Sequence, residues 1–141
     1  KRQIEEIVEQ TQIGEFAKMM IRTLSQGMKQ QLTLAIAYAT GARYLLLDEP
    51  MNALDPSRVD LHSEILRKLA DSGTCIIMSS HILDSVDRLC DEILFLKDGR
   101  LIRSIPQDDA APKSPGSHFA KPAGRAEGAL STYRRLYEKG G

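Results

Sequence analysis

Two adjacent carboxylates follow a short apolar run near the middle of the chain. Asp48 and Glu49 come directly after Tyr44–Leu47, in which every residue is large and apolar. A run without polar alternation predicts a parallel strand buried on both faces, and ligand sites of open α/β sheets lie beyond the carboxyl ends of such strands. In phosphoryl transfer, one acid here helps to hold Mg²⁺ and its neighbour orients and deprotonates the attacking water. The pair alone is equally compatible with Asp48 capping a turn and Glu49 facing solvent.

Two other groups are candidates for phosphate contacts. His81 ends the next apolar segment, where it could donate a hydrogen bond to a phosphate or to the attacking water, although a histidine before a helix also serves as a plain surface residue. Ser25, Gln26 and Gly27 open a helical pattern. Backbone N–H groups at a helix start, together with a hydroxyl and a glycine, form a generic anion site. Each signal is weak when taken alone.

The elements that must position these groups alternate between strand and helix. Two strand–helix units predict an α/β fold with parallel strands. Asp98-Gly99 between two apolar runs predicts a hairpin, which we expect to extend the same sheet. The predicted elements are helices over residues 2–10, 14–21 and 25–41, a strand over 44–47, a helix over 55–73, a strand over 74–78, a helix over 82–89 and the hairpin over 93–105.

Composition and charge narrow the class of protein. Of 141 residues, 42% are apolar and 27% charged, which is typical of a globular domain, and no apolar run approaches the roughly 20 residues that cross a bilayer. Nineteen basic residues balance nineteen acidic ones, so no nucleic-acid partner is expected. Cys75 and Cys90 lie in apolar sequence without metal-ligand spacing. Buried, reduced thiols are the expectation, which favours a cytosolic compartment.

The motifs become specific when they are taken together and in order. Leu24–Leu32 reads LSQGMKQQL, Leu45–Pro50 reads LLLDEP, Asn52–Pro56 reads NALDP, and Ser79–His81 reads SSH. This series resembles the C-terminal half of an ABC-transporter nucleotide-binding domain, over about residues 1–105. The four strings are similar to the family's signature motif, Walker B strand, D-loop and switch histidine, respectively.

The resemblance implies a fold and a division of roles. The fold would be a P-loop NTPase-like α/β core of the ABC ATPase type, here partial, with parallel strands, part of the helical subdomain and a C-terminal hairpin. Asp48 would coordinate Mg²⁺, and Glu49 would be the general base for the hydrolytic water. His81 would contact the γ-phosphate of ATP.

The resemblance also implies partners. Ser25, Gln26, Gly27 and Met28 would close over ATP held by a second nucleotide-binding domain, in a homo- or heterodimer, with Asp55 at the dimer interface. Gln26 and Met28 depart from the Gly and Gln that are usual in the signature motif. Both departures leave Ser25 and Gly27 in place. A transmembrane permease would be the other partner, so the protein is expected in the cytoplasm, peripheral to the membrane.

The phosphate-binding loop of this family is not found in the chain. That loop needs Gly-x-x-x-x-Gly-Lys-Ser/Thr, and no Gly-Lys pair occurs. Because the chain starts with Lys1 inside a helical pattern, we expect that an N-terminal portion is missing. The parent protein would be an ATPase, and this chain alone would be inactive. The expected organisation is a helical subdomain over about residues 1–41, a core over about 42–105, a flexible linker or tail over 106–130 and a short C-terminal helix over 131–141.

Two other functions fit some of the same residues. An ABC-type ATPase of DNA repair or chromosome structure shares the signature, Walker B and D-loop motifs, but it would need long heptad coiled coils, and none occurs in this sequence. A non-catalytic remnant that only dimerises would leave Glu49 without a use. A transport ATPase subunit accounts for more of the motifs than either alternative.

Overall fold

The computed structural model describes residues 2–106 and 128–138, which belong to two compact units, Lys1–Ser80 and His81–Gly141. No helix in these two ranges is both long and apolar enough to span a membrane. The first unit contains α1 (Arg2–Thr11), α2 (Gln26–Ala39), β1 (Tyr44–Leu47), α3 (Pro56–Asp71) and β2 (Cys75–Met78). The second unit contains α4 (Leu83–Leu89), β3 (Glu92–Lys97), β4 (Arg100–Pro106) and α5 (Ala129–Tyr133).

The segment between α1 and α2 is not the helix that its apolar spacing predicts. Residues 14–21 instead contribute to two short 3₁₀ turns, Ile13–Phe16 and Ile21–Thr23. Phe16 is buried, but Met19 and Met20 are 44% and 57% exposed. Because a short helix is stabilised mainly by burying an apolar face, a segment that buries only one of these three side chains gains too little to form one. Buried residues of this region pack with α1 and α2 around Ile13, Phe16, Leu24 and Ala35.

The parallel sheet of the first unit consists of β1 and β2, so the expected parallel pairing is confirmed. Leu45 faces the core and is 8% exposed, whereas Tyr44, Leu46 and Ile77 on the opposite face are 68%, 77% and 60% exposed. The expectation of burial on both faces is therefore wrong for the described residues, which cover only one face of the sheet. Cys75 shares the open face and is exposed, so the expected burial of its thiol is also wrong; neither cysteine forms a disulfide.

A buried polar pair joins α2 to α3. The Tyr38 hydroxyl and His62 Nδ1 are hydrogen-bonded at 3.1 Å, and His62 is 0% exposed. Among the described residues, Nε2 of this imidazole has no hydrogen-bond partner. Burial, and to a lesser extent the charge of Arg58, lowers the pKa of His62 from 6.5 to about 4. Burial also raises the pKa of Tyr38 above its usual range. Both groups are therefore neutral near pH 7.

We expect the first unit to lose stability in mild acid because of His62. The unfolded chain binds a proton on this imidazole near pH 6.5, whereas the folded chain does so only near pH 4, so the free energy of unfolding falls as pH drops between those values. The full pKa shift corresponds to a loss of about 3 kcal/mol in the free energy of unfolding. We expect a loss of about 2 kcal/mol, because relaxation of the protein around the charged imidazole admits water to it. Urea denaturation at pH 7 and pH 4.5 measures the loss.

A matched variant tests whether His62 causes this acid sensitivity. In His62→Gln, an amide that does not titrate can still bond to the Tyr38 hydroxyl. The difference in unfolding free energy between pH 7 and pH 4.5 should therefore shrink by about the amount assigned to the histidine. An identical pH dependence in the two proteins would contradict the assignment.

The hairpin of the second unit forms where the sequence predicts it, but not as part of the first sheet. Asp98 and Gly99 lie at φ values of +51° and +72°, as a two-residue hairpin turn with left-handed residues requires. β3 and β4 pair antiparallel, with a register shift between Phe95 and Leu96. They form a separate two-stranded sheet, so the predicted extension of the parallel sheet is wrong. The backbone groups of β3 and β4 that face each other are paired, and the described residues form no ladder from either strand to β1 or β2.

The described C-terminal segment packs into the second unit. α5 starts at Ala129, two residues before the predicted helix, and continues as a π-helical turn over Arg134–Glu138. The N–H of Ala129 donates to Asp87 Oδ1 at 2.8 Å, and both Ala129 and Thr132 are 0% exposed. The Tyr137 hydroxyl donates to the Leu96 carbonyl. Residues 107–127 of the predicted linker, and residues 139–141, lie outside the described residues.

Candidate functional site

One serine joins the two acids at the carboxyl end of the parallel sheet. Ser79 follows β2 directly, and its N–H donates to the Leu47 carbonyl at 3.0 Å, which continues the ladder beside β1. The Ser79 hydroxyl donates to Asp48 Oδ1 at 2.5 Å and accepts from the Glu49 N–H at 2.8 Å. Asp48 is exposed and Glu49 is half-buried. The acids predicted from the sequence therefore lie at the expected sheet end, held by a residue of the neighbouring strand.

The backbone at Glu49 adopts an unusual conformation. Its φ is +46°, in the left-handed region that non-glycine residues rarely enter. Its carbonyl accepts from the Asn52 N–H at 3.0 Å, so both backbone groups of Glu49 are bonded. Ala53 is also left-handed, with φ +62°. Such conformations cost about 1–3 kcal/mol each and persist where surrounding contacts hold them, often at functional sites.

The N-terminal end of α2 lies against the turn that follows the acids. Ser25 caps the helix, accepting from the Met28 N–H at 3.2 Å, with Gln26 as the first helical residue. A Cβ on Gly27 would lie 2.8 Å from the Ala53 carbonyl oxygen, so the close approach requires glycine. Gln30 Nε2 donates to the Pro50 carbonyl at 2.9 Å. The signature-like helix and the acid turn are therefore in direct contact within one chain.

Asp55 lies at the start of α3, and His81 lies in the second unit. Asp55 caps α3, with Oδ1 accepting from the N–H groups of Ser57 and Arg58 at 3.1 and 3.2 Å. The bond from the Arg58 N–H is the main cause of the lowered pKa of Asp55, and its carboxylate remains on the surface. The exposed His81 is the first residue of the second unit. The first unit thus brings together Asp48, Glu49 and the start of α2, whereas His81 belongs to the other unit.

Comparisons with known proteins find relatives that are similar over most of the chain. The ABC transporter family model matches residues 1–52. YcbN of Bacillus subtilis, an ABC transporter ATP-binding protein, is 33% identical over 110 residues, which cover 77% of this chain and 36% of YcbN. Nod factor export ATP-binding protein I of Rhizobium meliloti is 38% identical over 107 residues, covering 72% of this chain and 31% of that protein.

A solved structure shows the same fold. The ATP-binding cassette MJ0796, in a dimeric post-hydrolysis state with ADP and Pi, superimposes with a TM-score of 0.70 and 25% identity, over 76% of this chain and 47% of that one. The chain belongs to the ABC ATP-binding family. Its P-loop NTPase-like fold, with a parallel sheet and a separate antiparallel pair, is confirmed. The chain spans about a third of the length of the curated relatives that it matches.

The side chains of this ABC chain are better suited to Mg²⁺ that is shared with a nucleotide than to a metal ion that the protein alone would bind. Among the described residues, no group of three or more His, Cys, Asp or Glu side chains is placed to hold a metal ion. Magnesium is commonly bound by one or two carboxylates, with waters and substrate phosphates completing the octahedron. Asp48 would supply such a carboxylate: Ser79 bonds to its Oδ1, and among the described residues Oδ2 is the oxygen left to face a cation.

Sequence reasoning missed two contacts of the candidate site. The sequence predicts Ser79 as a strand end and as part of the string that resembles the switch histidine motif, but not as a partner of Asp48, although the carboxyl ends of neighbouring parallel strands meet at one edge. Gln30 was read as part of the signature-like string, and no pattern in the sequence indicates that its amide reaches the Pro50 carbonyl. Both contacts join segments at least twenty residues apart in the chain.

Proposed function

We propose that this protein is part of the ATP-binding subunit of an ABC transporter, in which ATP hydrolysis drives solute transport through a membrane partner. The observation that carries the proposal is the acid pair at the end of the parallel sheet, bonded to Ser79 and in contact, through its turn, with the start of α2. The names of relatives that act in transport and export support the transport class.

In this proposal the two acids have different tasks. Asp48 would hold Mg²⁺, and the ion would supply neutralisation of the charge on the phosphates of ATP. Glu49 accepts a proton from the attacking water and fixes its direction towards the γ-phosphate. Its clamped backbone limits where the carboxylate can go, which lowers the cost of orienting it during the reaction. His81 donates a hydrogen bond to the γ-phosphate.

The start of α2 would act on a nucleotide held by a second protomer. Ser25, Gln26, Gly27 and Met28 present a hydroxyl and helix N-terminal N–H groups, which favour an anionic phosphate. The partner would be a second nucleotide-binding domain, identical or related, with Asp55 at the interface. The dimeric state of the MJ0796 cassette supports this arrangement. Each site would then be completed only when two protomers meet.

The remaining assignments follow from the same proposal. Residues 1–41 would be part of the helical subdomain and 42–105 part of the ATPase core, with a linker over 106–130 and a terminal helical segment over 131–141. The protein would lie on the cytoplasmic side, peripheral to the membrane through its permease. Equal numbers of acidic and basic residues support a partner other than nucleic acid.

A substitution at the start of α2 tests the composite site. In the full-length protein as its native cell makes it, Ser25→Arg should reduce ATP hydrolysis at least about 100-fold, because a long cation blocks closure over the partner's phosphates. Steady-state phosphate release, measured with and without the reconstituted permease, gives the result. Ser72→Arg, at an exposed position after α3, is the matched control and should keep turnover.

The same assay separates the alternatives. Unchanged hydrolysis in Ser25→Arg would contradict the composite site. Hydrolysis stimulated by DNA and indifferent to the permease would contradict the transporter class. An inert wild-type protein would leave a dimerising, non-catalytic role.

A further inference from the structure

We propose that Ser79 is a positioning residue for both acids, fixing the direction of Asp48 and the backbone conformation of Glu49 with one hydroxyl. The inference rests on the proposed ATPase function and adds a residue to that site. A serine hydroxyl has one proton to donate and two lone pairs to accept with. Here its proton goes to Asp48 Oδ1 at 2.5 Å, and a lone pair receives the Glu49 N–H at 2.8 Å.

The position of the hydroxyl is set by the sheet. The Ser79 N–H bonds to the Leu47 carbonyl at 3.0 Å, immediately after the paired residues Leu47 and Met78. Ser79 therefore continues the parallel ladder by one bond, and its Cα cannot shift without breaking that bond. The hydroxyl is therefore presented to the loop that carries the acids from a residue whose backbone is bonded to β1.

The bond to Glu49 acts on a conformation that needs support. At φ +46°, Glu49 is in a region where its Cβ crowds its own backbone. The turn bond from the Asn52 N–H holds the carbonyl side of Glu49, and Ser79 holds the N–H side. Removing the hydroxyl removes this bond to the Glu49 N–H, so the peptide between Asp48 and Glu49 loses one of its restraints. Rotation of that peptide redirects the Glu49 carboxylate.

The bond to Asp48 selects between two carboxylate oxygens. With Oδ1 occupied by the Ser79 proton, the group cannot rotate freely about its terminal torsion, and Oδ2 is the oxygen left for a cation. One side chain thus sets the separation between the oxygen that would face Mg²⁺ and the carboxylate that would face water. A serine that merely ended the strand would have neither effect.

The first test needs no activity. Hydrogen exchange of the Glu49 amide is measured in the nucleotide-free, full-length wild-type, Ser79→Ala and Ser79→Thr proteins. Ser72→Ala is the control, because it removes a serine at an exposed helix end. We expect about tenfold faster exchange in Ser79→Ala, and near wild-type exchange in Ser79→Thr and Ser72→Ala. Threonine keeps the hydroxyl, so it should restore the bond. Equal Glu49 exchange in all four proteins would overturn the proposal.

The second test uses ATP hydrolysis in the same proteins. We expect kcat in Ser79→Ala to fall about 10- to 100-fold with KM for ATP within about twofold, and the half-saturating Mg²⁺ concentration to rise. Ser79→Thr should recover most of kcat. Wild-type kcat in Ser79→Ala, or failure of threonine to recover it, would overturn the positioning role. A wild-type protein without hydrolysis would overturn the proposed function instead, while the exchange experiment still decides whether Ser79 holds Glu49.

Discussion

Glu49→Gln should abolish ATP turnover while leaving ATP-driven dimerisation intact. The amide keeps the size of the side chain and the backbone bonds of Glu49 to Ser79 and Asn52, but it cannot accept the proton of the attacking water. Loss of a general base lowers the rate by about 10²–10⁴-fold. Phosphate release in single-turnover assays measures the chemical step, and size-exclusion chromatography with ATP measures dimerisation of the full-length protein.

The control for this variant is a second Glu→Gln change away from the acid turn. Glu64 lies exposed on α3, so Glu64→Gln changes the charge by the same amount without touching Asp48, Glu49 or Ser79. It should hydrolyse ATP at the wild-type rate. Turnover in Glu49→Gln within threefold of wild type would show that Glu49 is not the base. Loss of dimerisation together with turnover would show that Glu49 acts in binding.

Gly27→Ala should destabilise the protein and lower its turnover, against the usual trend for helices. On helix propensity alone, replacing glycine with alanine stabilises a helix by up to about 1 kcal/mol. Here the new Cβ would lie 2.8 Å from the Ala53 carbonyl oxygen, a backbone atom that cannot swing away. Overpacking of this kind costs about 1–3 kcal/mol. We therefore expect a net loss of about 1 kcal/mol, measured by urea denaturation.

The effect of Gly27→Ala on turnover should exceed its effect on stability. To relieve the contact, α2 must move away from the turn at Ala53, and Gln30 would lose its bond to the Pro50 carbonyl. A misplacement of about 1 Å costs about 100-fold in rate. Gly14→Ala is the control, because its nearest neighbour is a Val8 methyl carbon at an ordinary 3.5 Å. A Gly27→Ala protein that is more stable than wild type and fully active would contradict the close approach.

The elements that sequence reasoning located correctly are those with strong local signals. Ser25 and Asp55 accept backbone N–H groups as N-caps should, and Asp98-Gly99 adopts the two left-handed conformations that its hairpin needs. Burial was harder to predict. The apolar run of β1 is the same whether one face of the sheet or both are covered, so the sequence predicts burial of Tyr44 and Leu46, which the described residues leave exposed.

The candidate site also contains both residues that the sequence indicates and features that it does not. The order of the motifs, and their resemblance to the ABC family, single out Asp48, Glu49 and the signature-like string, whose roles stay predictions. The conformation of Glu49 was not predictable, because a left-handed glutamate carries no sequence signal and is held by a hydroxyl thirty residues away. The link between His62 and Tyr38 was missed because a histidine on an apolar helix face has the same spacing whether or not it finds a partner.

The contacts of α5 have a consequence for synthesis on the ribosome. Ala129 belongs to the same buried cluster as Val86, Ile93 and Phe95, and the Asp87 carboxylate holds its N–H. Translation makes the hairpin before it makes Ala129–Glu138, so the emerging chain carries β3 and β4 for a time without the residues that finish their core. A premature stop before Ala129 would leave Phe95 without part of this cluster, and we expect quality-control proteases to degrade such a chain.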